Sequence, residues 1–123
     1  MGEAMRILVV EDEQIIAADL EMKLISLGHE VVGTAVSGAE AIRLAEQFRP
    51  ELVLMDIQLL GPMNGIEAAS RVQQLVGAQI IFLTAFAGSF LQNPAHMQRP
   101  GLCLSKPYSK YQLEAVLNAV QPT

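Results

Sequence analysis

Short runs of apolar residues alternate along the chain with longer segments whose apolar residues recur every three or four positions. Runs this short are typical of β-strands, and they predict strands over residues 7–10, 30–33, 52–55 and 80–83. All of them except 30–33 are continuously apolar. Continuous runs indicate strands that are covered on both faces, as in a parallel sheet.

The intervening segments have helical periodicity. Apolar residues at 16, 20, 24 and 27 predict a first helix that ends before Gly28, and the spacing over 65–75 predicts another. The alternation of strands and helices predicts an α/β fold, with helices packed around a parallel sheet and right-handed crossovers. Two capping boxes predict further helix starts: Ser37 with Glu40 before residues 41–48, and Ser109 with Gln112 before residues 113–120.

Composition narrows the class of protein. The 123 residues are enough for one domain, which we expect to span 1–123 without an output domain. Acids outnumber bases 13 to 8, which argues against a nucleic-acid or anionic-membrane partner. The sequence has no long apolar run and no signal-peptide pattern, so we expect a cytoplasmic protein. A single cysteine excludes an internal disulfide.

Acidic side chains follow two of the predicted strands. Glu11 and Asp12 come after the first strand, and Asp56 comes directly after the third. Sites in parallel α/β sheets form beyond the carboxyl ends of strands, so these three carboxylates predict a site for a hard cation, Mg²⁺ or Mn²⁺. The alternative is that residues 11–13 only supply an acidic first turn to the next helix. Asp56 is harder to explain in that way, because a carboxylate abutting a buried strand needs a partner.

A hydroxyl and an ammonium follow the remaining strands. Thr84 ends the fourth strand and Lys106 ends the last one. Taken singly, they are a strand-end residue and a surface lysine. Beside a metal-bound carboxylate they offer the donor and the positive charge that phosphoryl oxygens require, which predicts a phosphoryl-binding site.

With these residues in order, the sequence resembles the receiver domain of two-component response regulators over essentially its whole length. The resemblance implies a doubly wound, flavodoxin-like α/β fold, with a five-stranded parallel sheet of order 2-1-3-4-5 and five helices on both faces. The segments that carry the resemblance are residues 7–13 (ILVVEDE), 54–57 (LMDI), Gly65, 83–85 (LTA) and 106–108 (KPY).

The resemblance also implies roles for the acidic residues. Asp56 would accept a phosphoryl group from a phosphohistidine of a histidine kinase or a phosphotransfer protein. Asp12 and Asp56 would bind Mg²⁺ directly. Glu11 would bind it through water, and the backbone carbonyl of Gln58 would complete the protein ligands.

Further implied roles concern the switch. Thr84 and Lys106 would bind the phosphoryl oxygens, and the Lys106–Pro107 bond would be cis. Phosphorylation would change the surface formed by the fourth helix, the fifth strand and the fifth helix, and so control a protein effector in trans. The resemblance is compatible with a monomer or a weak dimer.

Two features depart from the family pattern. Cys103 stands where receivers usually carry an aromatic residue, and we expect it to be a small buried residue. Phe86 or Phe90 is then a hypothetical substitute for the missing ring. Residues 87–100, which include two prolines, predict a short or irregular element instead of the regular fourth helix.

Other functions fit less well. A Mg²⁺-dependent aspartyl-phosphate hydrolase usually has a second aspartate two residues after the nucleophile, where this chain has Gln58. A flavin or nucleotide domain needs a glycine-rich or hydroxyl-rich turn after the first strand, which is acidic here. A degenerate receiver that acts only as a binding module stays a third alternative.

Overall fold

The computed structural model describes residues 4–59, 61–85 and 102–120, and strands alternate with helices along them. Five strands form one parallel sheet of order β2-β1-β3-β4-β5, which confirms the predicted doubly wound fold. The elements are β1 (Arg6–Val10), α1 (Gln14–Ser26), β2 (Glu30–Ala35), α2 (Gly38–Phe48), β3 (Leu52–Asp56), α3 (Gly65–Val76), β4 (Gln79–Thr84), β5 (Leu102–Ser105) and α4 (Lys110–Val120).

The sheet is covered on both faces, as its continuous apolar strands predict. Successive side chains of a strand point to opposite faces, so each central strand contributes to two apolar clusters. The cluster on one face joins Leu8 and Val10 of β1 to buried residues of α2 and α3. The cluster on the other face joins Ile7 and Val9 to buried residues of α1 and α4.

Two helix termini follow the predicted local signals. Gly28 follows α1 with a φ of 93°, a left-handed conformation that favours glycine. The capping box before α4 is complete, because the Ser109 N–H donates to Gln112 Oε1 (2.8 Å) and the Gln112 N–H donates to Ser109 Oγ (3.1 Å). The implied fifth helix and the expected irregular element over 87–100 fall outside the described residues.

The capping box predicted before α2 is wrong in one half. The Glu40 N–H donates to Ser37 Oγ (3.2 Å), as expected. The Glu40 carboxylate, however, accepts the N–H of Val36 (2.9 Å) instead of that of Ser37. The helix itself begins at Gly38, three residues before the predicted 41, because the residues of the box already form its first turn.

None of the helices in the described ranges has the length and apolar character needed to cross a membrane.

Candidate functional site

Three carboxylates meet at the carboxyl edge of the sheet. Glu11 and Asp12 follow β1, and Asp56 is the last residue of β3, its neighbour in the sheet. One carboxylate oxygen from each residue lies within 4.8 Å of the others. Glu11 is fully buried and Asp56 is 5% exposed. The alternative role for residues 11–13 is wrong, because α1 begins at Gln14 and has no acid in its first turn.

Lys106 reaches this acidic cluster from the end of β5. Its Nζ lies 2.9 Å from Glu11 Oε1 and 3.6 Å from Asp56 Oδ2. Burial acts to lower the pKa of Lys106, but the hydrogen bond to Glu11 and the charges of Asp56 and Glu11 outweigh it, so the pKa is raised. Lys106 therefore carries a positive charge at neutral pH, next to the Asp56 carboxylate.

The backbone after β3 holds Asp56 in place. The N–H of Gln58 donates to Asp56 Oδ1 (3.0 Å), and the N–H of Gly65 donates to the carbonyl of Ile57 (3.0 Å). A Cβ on Gly65 would lie 2.1 Å from the Asp56 carbonyl oxygen and 2.8 Å from the Ile57 Cα. Only glycine lets the first turn of α3 approach the Asp56 backbone this closely, which is a physical reason for a glycine at position 65.

A capping box at the start of α3 escaped the sequence analysis. The N–H of Glu67 donates to Asn64 Oδ1 (2.9 Å), and the N–H of Asn64 donates to Glu67 Oε1 (3.4 Å). The signal was present as an asparagine followed three residues later by a glutamate. The box fixes the helix start immediately before Gly65, and therefore beside Asp56.

Thr84 and Lys106 lie together at the ends of β4 and β5. Thr84 pairs with Ser105 in the sheet and is 4% exposed. The Lys106 N–H donates to the Thr84 carbonyl (2.8 Å), which ties the two strand ends together. The Lys106–Pro107 peptide bond is cis, as the resemblance implied. The metal-ligand role of the Gln58 carbonyl stays a prediction.

Cys103 of β5, which stands where receivers usually carry an aromatic residue, packs against other apolar residues. It pairs with Phe82 of β4 and packs, half-buried, against the apolar cluster formed with α2 and α3. Burial raises the pKa of its thiol, so it is a neutral thiol at neutral pH. It is less buried than expected. The hypothetical aromatic substitutes, Phe86 and Phe90, lie outside the described residues.

Helix α1 borders the site and presents apolar side chains to solvent. Ile15, Met22 and Ile25 are 86%, 71% and 61% exposed. Between α1 and the residues after β5 lies an open cavity of about 620 Å³, lined mainly by apolar surface and including part of Lys106. Tyr108 is a further part of its lining, and burial together with the charge of Asp19 raises the pKa of Tyr108 to about 12.

Fold and site together define a class of domain, a doubly wound sheet with an acidic, lysine-bridged cluster at its carboxyl edge. The profile of the response regulator receiver domain matches residues 7–118. The chain therefore belongs to the response regulator receiver domain family. The proteins of this family that it resembles are regulators rather than classical enzymes.

Individual members of the family are similar to this chain in sequence and in structure. The phyllosphere-induced regulator PhyR of Methylorubrum extorquens is 36% identical over 116 residues, which cover 94% of this chain and 43% of the relative. The crystal structure of the response regulator PhyR from Brucella abortus is 35% identical with a TM-score of 0.87, covering 98% of this chain and 49% of that one. The chain thus spans less than half the length of these PhyR proteins.

A third relative is a receiver domain on its own. The receiver domain of the sensor histidine kinase PA1611 from Pseudomonas aeruginosa is 31% identical with a TM-score of 0.80, covering 95% of this chain and 97% of that one. Its crystal structure has a magnesium ion coordinated in the active site cleft.

Proposed function

We propose that the protein is a phosphoacceptor of a two-component phosphorelay and that Asp56 takes the phosphoryl group. The observation that carries the proposal is the arrangement around Asp56. Its carboxylate is almost buried, shares an edge of the sheet with two further acids, and lies 3.6 Å from the ammonium of Lys106. A buried carboxylate that lies among like charges and beside an ammonium is typical of a functional site.

The transfer needs little covalent chemistry from the protein. A carboxylate oxygen of Asp56 forms a bond to phosphorus while the phosphorus–nitrogen bond of the donor phosphohistidine breaks. The nitrogen keeps the electron pair, and a proton taken from solvent by the imidazole ring lets the histidine leave as neutral imidazole. Catalysis then consists of positioning and of balancing the negative charge on the phosphoryl oxygens, to which Lys106 contributes its ammonium and Thr84 its hydroxyl.

The acidic cluster fits a hard divalent cation. All three side chains offer only oxygen, two of them are buried, and no histidine or cysteine of the described residues belongs to the cluster. We propose that Glu11, Asp12 and Asp56 hold Mg²⁺ or Mn²⁺, as the magnesium ion in the Pseudomonas aeruginosa receiver domain supports. When bound, the cation would neutralise charge on the transferring phosphoryl group.

The surroundings of the site support a protein phosphodonor, a histidine kinase or a histidine phosphotransfer protein. Ile15, the most exposed of the apolar side chains of α1, lines the same cavity as Lys106, so a donor that reaches Asp56 would pass over it. Exposed apolar side chains beside a site are a feature of protein-binding surfaces. We place this exchange in the cytoplasm and propose that the output is made in trans by a protein effector, through a two-state shift of the domain.

Phosphorylation of the purified protein tests the proposal. The chain is incubated with Mg²⁺ and acetyl phosphate, or with a phosphorylated histidine kinase, and its intact mass is measured. We expect an increase by one phosphoryl group that is lost in Asp56→Asn and after chelation of Mg²⁺. Asp19→Asn, an exposed acid on α1, is the matched control and keeps the modification. If neither donor modifies the wild-type protein, Asp56 is not a phosphoacceptor.

A further inference from the structure

A methionine in the connection between β3 and α3 packs on the first residue of α2. Met63 is half-buried, and a Cβ added to Gly38 would lie 3.1 Å from both its Cγ and its Sδ, and 3.2 Å from its Cβ. Gly38 is not among the positive-φ glycines of the described residues. What Gly38 provides here is therefore space for Met63, since a methyl group in its place would require Met63 to move by a few tenths of an ångström.

The contact lies two residues from the point where α3 touches Asp56. Met63 precedes Asn64, the N-cap of α3, and Gly65, whose Cα packs against the Asp56 carbonyl. Asn64, which directly follows Met63, is held at the start of α3 by the two hydrogen bonds that it exchanges with Glu67. A displacement of Met63 would thus reach the Asp56 backbone within two residues.

Helix α2 gives no side chain to the acidic cluster, so its link with the site has to be indirect. Its buried residues are small, and α2 packs directly against α3. Small residues let helices approach closely, and the interior of a protein transmits a misfit because it is tightly packed. The Met63–Gly38 contact is the place where the first turn of α2 meets the chain that leads into α3.

We propose that the packing of Met63 on Gly38 is a positioning contact, which sets where the start of α3 presses on Asp56 and thereby how fast Asp56 is phosphorylated. The proposal rests on the proposed phosphoacceptor function and adds two positioning residues to it. Neither residue touches the reacting atoms.

A double-mutant cycle tests the contact. In Gly38→Ala, Met63 has to yield by a few tenths of an ångström, and we expect phosphorylation by acetyl phosphate at saturating Mg²⁺ to slow about fivefold, since a 1 Å misplacement costs about 100-fold. Met63→Ala removes the support and also slows the reaction. In the double variant the new methyl group occupies the space left by Met63. Adding Gly38→Ala to Met63→Ala should then change the rate less than about twofold.

Two controls separate positioning from stability. Gly33→Ala, where the nearest atoms to a Cβ are 3.6 Å away, has room and should keep the wild-type rate. Alanine at the start of α2 also favours the helix, so Gly38→Ala should not lower Tm although it slows the reaction. If Tm fell so far that loss of folded protein at the assay temperature accounted for the lower rate, the contact would be merely structural and the proposal would be overturned.

The amide NMR resonances of Gln58 and Gly65 report the same displacement without phosphorylation. They should shift in Gly38→Ala and return toward the wild-type positions in the double variant. Wild-type resonances and a wild-type rate in Gly38→Ala, or strictly additive effects in the cycle, would overturn the positioning role. A wild-type protein that takes no phosphoryl group would instead contradict the phosphoacceptor function, while the NMR cycle would still decide on the contact.

Discussion

Gly65→Ala is the substitution that links the fold most directly to Asp56. The first turn of α3 rests on the backbone of residues 56 and 57, with no room for a side chain at position 65. A Cβ there would lie 2.1 Å from the Asp56 carbonyl oxygen and 2.8 Å from the Ile57 Cα. Both atoms belong to the backbone, so the clash cannot be relieved by a change of rotamer.

The expected magnitude follows from these distances. Restoring ordinary contact requires α3 and Asp56 to separate by roughly 1 Å, and overpacking of this kind costs about 1–3 kcal/mol. The gain of about 0.5–1 kcal/mol from alanine in a helix offsets only part of that cost. For a chain of this length, each kcal/mol lowers Tm by about 4–5 °C. A shift of Asp56 by roughly 1 Å should slow phosphorylation by about 100-fold.

Thermal unfolding by circular dichroism and intact-mass kinetics with acetyl phosphate measure the two effects. Gly33→Ala in β2 is the matched control, because a Cβ there meets only the ordinary van der Waals contacts of Leu44 and Leu8 at 3.6 Å. We expect the control to match the wild type in both assays. If Gly65→Ala retained the wild-type Tm and a rate within about twofold, the close approach would not determine the position of Asp56.

Two further predictions concern charge. Lys106→Met removes the ammonium that competes with a cation for Glu11 and Asp56, so Mg²⁺ should bind about tenfold more tightly by calorimetric titration; unchanged or weaker binding would contradict this. Nδ1 of His29 accepts a hydrogen bond from the Met5 N–H (3.0 Å), and burial lowers the pKa of His29. Neutral His29 therefore stabilises the fold fully above the unfolded pKa of about 6.5, and this stabilisation is lost as the pH falls below that value. His29→Asn should therefore lose less Tm than the wild type between about pH 7 and pH 5, and an equal loss would exclude this linkage.

Much of the fold was predictable because the signals are local. Continuous apolar runs at β1, β3 and β4 need cover on both faces, and helical periodicity between them supplies it. The proximity of the three carboxylates was predictable for a related reason. Parallel neighbours end at one edge of the sheet, so Glu11, Asp12 and Asp56 had to meet once β1 and β3 were placed side by side.

The unpredicted features depend on side-chain reach across the chain. The Glu40 carboxylate had two backbone donors to choose from, and the turn after β2 decided in favour of Val36. Likewise, the order of the strands predicted that Lys106 lies near the phosphoryl site, but it did not predict which carboxylate Lys106 would contact. Glu11, the nearer partner in space, is 95 residues away in sequence, further than Asp56. Spacing rules act over three or four residues and do not rank such partners.

The contacts of Lys106 with two carboxylates provide a way for charge at Asp56 to affect neighbouring strands. Its ammonium lies nearer to Glu11, at 2.9 Å, than to Asp56, at 3.6 Å. A phosphoryl group on Asp56 adds negative charge and three acceptor oxygens on that side, which favours moving the ammonium away from Glu11. Because the Lys106 N–H donates a hydrogen bond to the Thr84 carbonyl, a movement of Lys106 would affect the ends of both β4 and β5. Under the proposed function, a movement of Lys106 on phosphorylation of Asp56 would therefore reach the ends of both β4 and β5.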